Sequence, residues 1–249
     1  MVVMLTQPYE KGQEKCMVYY PDRVGCINEC DEGQFTVECM GKREEERTEI
    51  RELKVTRVVE EEGENGEVEK KEDVRTLWHF LFLGWPDFDV PKTKKDEQAL
   101  LHLIKISRFR IDGPEKEDEK DTKPRIVHCS AGVGRTGTFI ALDHLIGELE
   151  AGGFDGLEEG VDPVFETVKK LRDQRMMMVY KESQYAFIYK ILRERWLTKH
   201  GLGEMGLLVG ENPHELLNDE ALSKKRKLDQ RVERYEVDIY SNDTSVEYE

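Results

Sequence analysis

Val127-His128-Cys129-Ser130-Ala131-Gly132-Val133-Gly134-Arg135-Thr136-Gly137 decides how the rest of the chain is read. Ile126 and Val127 are apolar and β-branched, which predicts a short buried strand running into Cys129. After the stretch, Phe139, Leu142, Ile146 and Leu149 recur at helical intervals, predicting a helix that opens at Thr136 and is ended by Gly152 and Gly153. A strand, a glycine-rich turn and a helix start have an electrostatic consequence. The small residues Ser130, Ala131, Gly132, Val133 and Gly134 let successive backbone N–H groups converge on one point, and the helix directs its positive end there too. The stretch is predicted to cradle a dianion. At its base, convergent amides and a nearby guanidinium favour thiolate over thiol at Cys129. Arg135 can return over the turn and grip two phosphoryl oxygens bidentately, which lysine cannot do.

Two other readings fit parts of this stretch. Glycine-rich turns before helices also hold nucleotides, but that motif needs Gly-Lys followed by Ser or Thr, and here Gly134 precedes Arg135. A buried structural cysteine after a strand is common, yet it gives no reason for the arginine and the glycines.

Working outward, residues 1–90 are mostly strand-like: residues 2–5, the alternating Phe35, Val37 and Cys39, then 53–59 and 74–83. They are expected to form an antiparallel group. The acidic stretch 60–73, with the turn pair Asn65-Gly66, is expected as a solvated excursion between two paired strands. Beyond Pro91 the spacing turns helical, with an apolar face of Leu100, Leu103 and Ile104 on a segment starting near Lys95. Residues 113–124 read as a polar loop. Further helices are expected at 163–175 and 182–197, carrying Phe165, Val168 and Leu171, then Tyr185, Ile188, Ile191 and Leu192.

The sequence of 249 residues holds 53 acidic and 38 basic side chains, a formal charge of −15. That field repels nucleic acid and anionic lipid, so neither nucleic acid nor membrane is expected as a partner. It also repels phosphorylated substrates at a distance, so a phosphate site must be a strong local exception built from backbone dipoles and arginine. No apolar run approaches the roughly 20 residues needed to span a bilayer. Cys16, Cys26, Cys30, Cys39 and Cys129 show no repeated metal-ligand spacing, and no signal peptide is evident, so free thiols in the cytoplasm are expected. Cys26 and Cys30, on an expected loop, are close enough in sequence to clip together. The basic cluster 224–227 has the composition of a nuclear address, although such clusters are commonly solvated surface.

The quoted stretch resembles the His-Cys-Ser-Ala-Gly-x-Gly-Arg-Thr-Gly signature of the tyrosine-specific, cysteine-dependent protein phosphatases. The resemblance extends from Val2-Val3-Met4-Leu5-Thr6 through Glu10-Lys11-Gly12, Lys15-Cys16 and Trp85-Pro86-Asp87 to Gln184-Tyr185 and a helix ending near Lys199. It implies an α/β (α+β) fold, a twisted mixed β-sheet flanked by helices and N-terminally incomplete. It also implies a catalytic domain over residues 1–200 and a polar acidic tail at 201–249 without fixed structure. The implied activity is hydrolysis of phosphotyrosine in proteins through a phosphocysteine intermediate, with no metal and no organic cofactor. Cys129 is implied as nucleophile, Arg135 and the amides of 130–135 as phosphate holders, and Asp87 as the acid that then becomes the base. The resemblance further implies Phe88 beside the substrate ring, Glu10 paired with Arg135, Lys15 near the closed acid loop that carries Trp85, Thr136 donating to the sulfur, and His128 behind it.

The chain departs from that pattern in four places. The water-positioning loop of the family reads Val-Gln-Thr-x-x-Gln-Tyr, whereas here Val179-Tyr180-Lys181-Glu182-Ser183-Gln184-Tyr185 puts Tyr180 where the first glutamine stands. Attack on substrate is expected to survive and turnover to slow unless Gln184 compensates. Asp89 replaces the glycine after the acid loop, which is expected to restrict a hinge. Residues 2–6 resemble a strand from the middle of the family domain, so a truncated chain with uncovered apolar surface is expected. The Lys-Asn-Arg-Tyr recognition loop has no match, leaving pocket depth unassigned and two alternatives open: a phosphotyrosine-capture module and a dual-specificity phosphatase.

Overall fold

The structure is a computed structural model that describes residues 1–30, 33–62, 68–87, 89–112, 124–158 and 160–202. The Asn65-Gly66 pair, Phe88, almost all of the 113–124 loop and nearly all of the 201–249 tail lie outside the described residues. The chain divides into two compact units, Met1–Thr136 and Gly137–Glu249, and each is α/β or helical in its own right.

The first unit holds β1 (Val2–Met4), β2 (Tyr9–Glu10), β3 (Gln13–Glu14), β4 (Ile27–Cys30), β5 (Phe35–Glu45), β6 (Thr48–Glu62), β7 (Val68–Phe82), α1 (Lys94–Asp112) and β8 (Ile126–His128). Six strands form one mixed sheet in the order β4-β5-β6-β7-β1-β8, and β2 and β3 make a separate hairpin. β4 through β7 pair antiparallel, as the alternation of Phe35, Val37 and Cys39 predicted. β1 does not belong to that group: it lies parallel to β7 on one side and to β8 on the other. The reason is its uninterrupted apolar run, since a strand buried on both faces has no need of alternation. Val3, Met4 and Leu5 are all fully buried.

The acidic stretch 60–73 is mostly ladder rather than a free excursion. β6 and β7 are 15 residues each and keep register from Thr48↔Phe82 to Glu62↔Val68. Opposite charges are paired in that register at Arg57↔Asp73, which favours continued pairing. The sequence reading missed the edge strand β4, and Cys30, expected on a loop, sits in it; all five cysteines are free thiols. It also missed the β2–β3 hairpin, whose two-residue turn has Lys11 at φ 52° and Gly12 at φ 78°, the doubly left-handed turn that matches strand twist.

α1 starts one residue before its expected position because Thr93 caps it: Asp96 N donates to Thr93 Oγ1 at 3.1 Å, and Thr93 Oγ1 donates to Asp96 Oδ2 at 2.6 Å. Arg47, in the β5–β6 turn, bonds the same carboxylate at 2.6 Å. The core of this unit includes Ile50, Phe80, Phe82, Leu100, Leu103 and Ile104, while Leu53 packs with Met4, Tyr20, Cys39 and Leu81, and no described helix is long and apolar enough to cross a membrane.

The second unit holds most of α2 (Gly134–Glu150), α3 (Pro163–Gln174) and α4 (Glu182–Lys199). Phe139, Leu142, Leu145, Ile146 and Leu149 are buried along α2, as their spacing predicted. α3 has Pro163 at its first position and Asp162 as its cap, accepting from Val164 N at 3.0 Å and Phe165 N at 3.1 Å. The loop before α4 is strained, with Met177 at φ 64° and the β-branched Val179 at φ 58°. Arg172 clamps it, donating to Met178 O at 3.0 Å and Val179 O at 3.1 Å. Gly137 lets this loop approach, for a Cβ there would lie 2.5 Å from Val179 N. Gly137→Ala is therefore expected to destabilise the chain by about 1–3 kcal/mol, the range for forced overpacking. Urea unfolding with an unchanged midpoint would show that the loop gives way instead.

Candidate active site

β8 delivers the chain to Cys129, and Gly132, at φ 73°, makes the left-handed turn that only glycine adopts without strain. Ser130 and Ala131 are exposed while Cys129 and Arg135 are buried, so the sulfur and the guanidinium form the floor beneath an open rim of amides. α2 begins at Gly134, and its first turn places Thr136 Oγ1 3.1 Å from Cys129 Sγ, as donor to the sulfur. The sulfur thus lies just before the start of α2 with a hydroxyl donor on it.

Arg135 is 3% exposed and its terminal nitrogens reach four groups. Nη1 donates to Glu10 Oε1 at 2.7 Å and to Trp85 O at 3.2 Å; Nη2 donates to Thr6 Oγ1 and to Asp87 Oδ1, both at 3.1 Å. Glu10 is held for this role by Gln7 N at 3.1 Å. The other oxygen of Asp87 pairs with Lys15 Nζ at 2.9 Å. The β2–β3 hairpin thus supplies both Glu10 and Lys15, and its tight turn brings them to one place. Trp85 Nε1 donates to Asp89 O at 2.8 Å, closing the acid loop on itself.

Asp89 does not strain this loop, since it is not among the described residues with left-handed φ. Its carboxylate accepts from Val90 N at 2.9 Å and pairs with Lys92 at 2.7 Å, and these contacts hold it below the usual carboxylate range. The expected restriction of the hinge is therefore not a φ restriction in this conformation.

Of the residues singled out in the sequence, Glu10, Lys15, Trp85, Asp87, Cys129, Arg135 and Thr136 are joined by these contacts. Phe88 lies outside the described residues. Tyr180 and Gln184 belong to the second unit. Tyr180 is 44% exposed with Lys181 Nζ 5.1 Å over its ring. Gln184 is buried, and its Oε1 accepts from Lys181 N at 3.2 Å, capping α4.

Three participants escaped the sequence reading: Thr6, Tyr19 and His79. Tyr19 Oη lies 2.7 Å from His128 Nε2 and 3.1 Å from His79 Nε2, and His128 Nδ1 lies 3.1 Å from Cys129 O. Burial pushes both histidines below their ordinary value, His79 down to about 3 with Arg51 and His128 adding to the effect, and raises Tyr19 well above a free tyrosine.

The protein-tyrosine phosphatase family matches residues 1–194 of this chain. The chain belongs to the protein-tyrosine phosphatase family. It is similar to receptor-type tyrosine-protein phosphatase epsilon of Homo sapiens, 33% identical over 193 residues, covering 78% of this chain and 24% of that protein. Tyrosine-protein phosphatase corkscrew of Drosophila melanogaster is 31% identical over 213 residues, covering 84% of this chain and 22% of the relative. Phosphatidylinositol phosphatase PTPRQ of Homo sapiens is 32% identical over 229 residues, covering 92% of this chain and 8% of the relative. The chain therefore spans less than a quarter of the length of each of these relatives.

Two expectations follow from this geometry. Asp87 occupies an arginine N–H that an incoming anion would use, so Asp87→Asn is expected to tighten tungstate binding roughly fivefold, the worth of one charge-assisted contact; equal or weaker binding by calorimetry would contradict this. His79 stays neutral in the folded chain to about 3 while the unfolded chain takes up that proton near 6.5. Below 6.5 the unfolded state binds more protons, so stability falls as pH falls, by about 1.4 kcal/mol per pH unit from this one group. Comparing urea midpoints at pH 6.5 and 5.5 should show His79→Gln with a shallower loss than the parent chain.

Proposed function

We propose that this chain hydrolyses phosphotyrosine in proteins by way of a phosphocysteine intermediate. The observation that carries the reading is the hydroxyl bond from Thr136 to the Cys129 sulfur, set beneath an amide rim and beside the shared Arg135–Asp87 pair. The Cys129 thiolate attacks phosphorus, and the S–P bond forms as the bond to the phenolic oxygen breaks. Asp87 gives the leaving oxygen its proton, while Arg135 and the amides of residues 130–135 hold the phosphoryl oxygens. Arg135 exchanges its contact with Asp87 for one with phosphate as the ester enters. Water then attacks phosphorus, Asp87 takes the proton from it, and orthophosphate leaves with the thiolate restored.

Lys15 holds the acid loop over the site, Phe88 flanks the substrate ring, and His128 supports the main chain behind the sulfur. Gln184 and Tyr180 act in the second half of the reaction. With Tyr180 where the family has glutamine, water is less well oriented and the phosphocysteine outlives the first step. The same substitution favours a second reading, capture of phosphotyrosine without turnover. Phosphoinositide substrates, suggested by the name of one relative, meet the repulsion of a chain carrying −15. The catalytic domain is placed within residues 1–200 and its working compartment is the cytoplasm.

Rapid mixing with a small aryl phosphate should show a burst followed by slow steady turnover, and Tyr180→Gln should raise the steady rate. Asp87→Asn should lower kcat by roughly 10²–10⁴-fold, the usual worth of a general acid. Equal activity in the parent and in Cys129→Ser would remove the enzymatic reading, while a burst with no turnover would establish capture. A phosphopeptide panel run beside soluble phosphoinositides assigns the substrate class.

A further inference from the structure

Arg51 and His79 stand directly opposite one another on β6 and β7, both fully buried or nearly so. Tyr20 joins them, with the Arg51 guanidinium 4.6 Å over its ring and the His79 ring 4.4 Å away. Arg51 satisfies one nitrogen only: Nη2 bonds Asp22 Oδ1 at 2.8 Å and Glu49 Oε2. Its Nε and Nη1 are buried with no partner, and so is His79 Nδ1.

The hydrogen-bond chain on the other side of His79 settles which of these atoms carry protons. A carbonyl only accepts, so His128 Nδ1 donates to Cys129 O, and the neutral ring then accepts at Nε2. Tyr19 Oη must therefore donate to His128 Nε2, its nearest partner at 2.7 Å, in preference to Met4 Sδ at 3.6 Å. Having given its proton, Tyr19 Oη accepts from His79 Nε2 at 3.1 Å. His79 is neutral, so its Nδ1 is left as a buried acceptor on the residue directly across the ladder from Arg51, whose Nε and Nη1 are buried donors.

We propose that a single buried water joins Arg51 to His79 Nδ1, completing a hydrogen-bond chain whose direction is set by the Cys129 carbonyl at its other end. The water accepts from one guanidinium N–H and donates to Nδ1, relieving one orphaned donor and the orphaned acceptor together, where an unmade buried bond is costly. The reverse direction, with protons on His128 Nε2 and His79 Nδ1, would set two acceptors, His128 Nδ1 and Cys129 O, against each other and aim an N–H at a cation, so both ends of the chain require the same direction. The consequence reaches the cradle because a trans peptide holds its N–H opposite its C=O, so anchoring Cys129 O also fixes the Ser130 N–H among the rim donors. Arg51, His79 and Tyr19 are positioning residues in this scheme; that catalytic consequence rests on the phosphatase reading, whereas the chain of bonds does not.

The test uses the full chain labelled with ¹⁵N-histidine. At pH 7, long-range ¹H–¹⁵N correlation should find His79 protonated on Nε2 and His128 on Nδ1, with a water cross-peak to His79. Protonation of His79 on Nδ1 or of His128 on Nε2, or the absence of the water, overturns the proposal. Alkylation of Cys129 by iodoacetamide then reads the positioning role without turnover, so its outcome is independent of whether the chain is a phosphatase. His79→Gln, whose amide replaces the Nε2 donor, should react at close to the parent rate, and His79→Leu roughly fivefold more slowly, the net worth of one hydrogen bond. Equal rates in His79→Leu and the parent would overturn that role.

Discussion

The buried guanidinium of Arg135 is met by four acceptors that come from three separate places in the chain. Glu10 from the β2–β3 hairpin, Thr6 from the end of β1, and Trp85 and Asp87 from the acid loop all converge on it. Leaving such a charge unanswered would cost several kcal/mol, so these segments are held together by one side chain as firmly as by apolar packing. The arrangement is also unfinished by design, because Asp87 can yield its share of the cation to an anion of higher charge. Cys129 lies beneath, with Thr136 donating to its sulfur from the turn that carries Arg135.

The strand–turn–helix unit around Cys129 was legible because its pattern is local, an apolar strand, small residues, then helical spacing, but the strand is not buried as expected: β8 is the last strand of the sheet and its Ile126 is 61% exposed. The helices were legible for the same reason, and the caps explain the small shifts at their ends, as with Thr93 and α1. What failed was what pairing decides. The parallel placement of β1 between β7 and β8 depends on partners far away in sequence, and a three-residue strand cannot announce its direction. The long β6–β7 ribbon looked like a solvated excursion because charge marks exposure, as at Lys70 to Asp73, and says nothing of whether the backbone is paired.

Within the candidate site, Glu10, Lys15, Trp85, Asp87, Cys129, Arg135 and Thr136 were named in advance, while Thr6, which bonds Arg135, and Tyr19 and His79, which are linked to His128, were not. Thr6, Tyr19 and His79 carry no spacing signal, since each acts through contacts that only the sheet brings about. Asp89 shows the converse. A residue read as strained from its type alone sits without left-handed φ and accepts from its own neighbour's amide. Such distinctions belong to the fold, not to the residue.

The central claim is that the main-chain rim, with Arg135 and Thr136, makes Cys129 the nucleophile among the five cysteines. Burial pushes the Cys16 and Cys39 thiols up, and Cys26 is the exposed cysteine that accessibility alone would favour. The direct measurement is site-resolved iodoacetate labelling at pH 6, followed by mass spectrometry with and without orthovanadate. The account predicts that Cys129 is labelled first and that vanadate suppresses its labelling alone. Labelling led by Cys26, with Cys129 no faster and indifferent to vanadate, would contradict it.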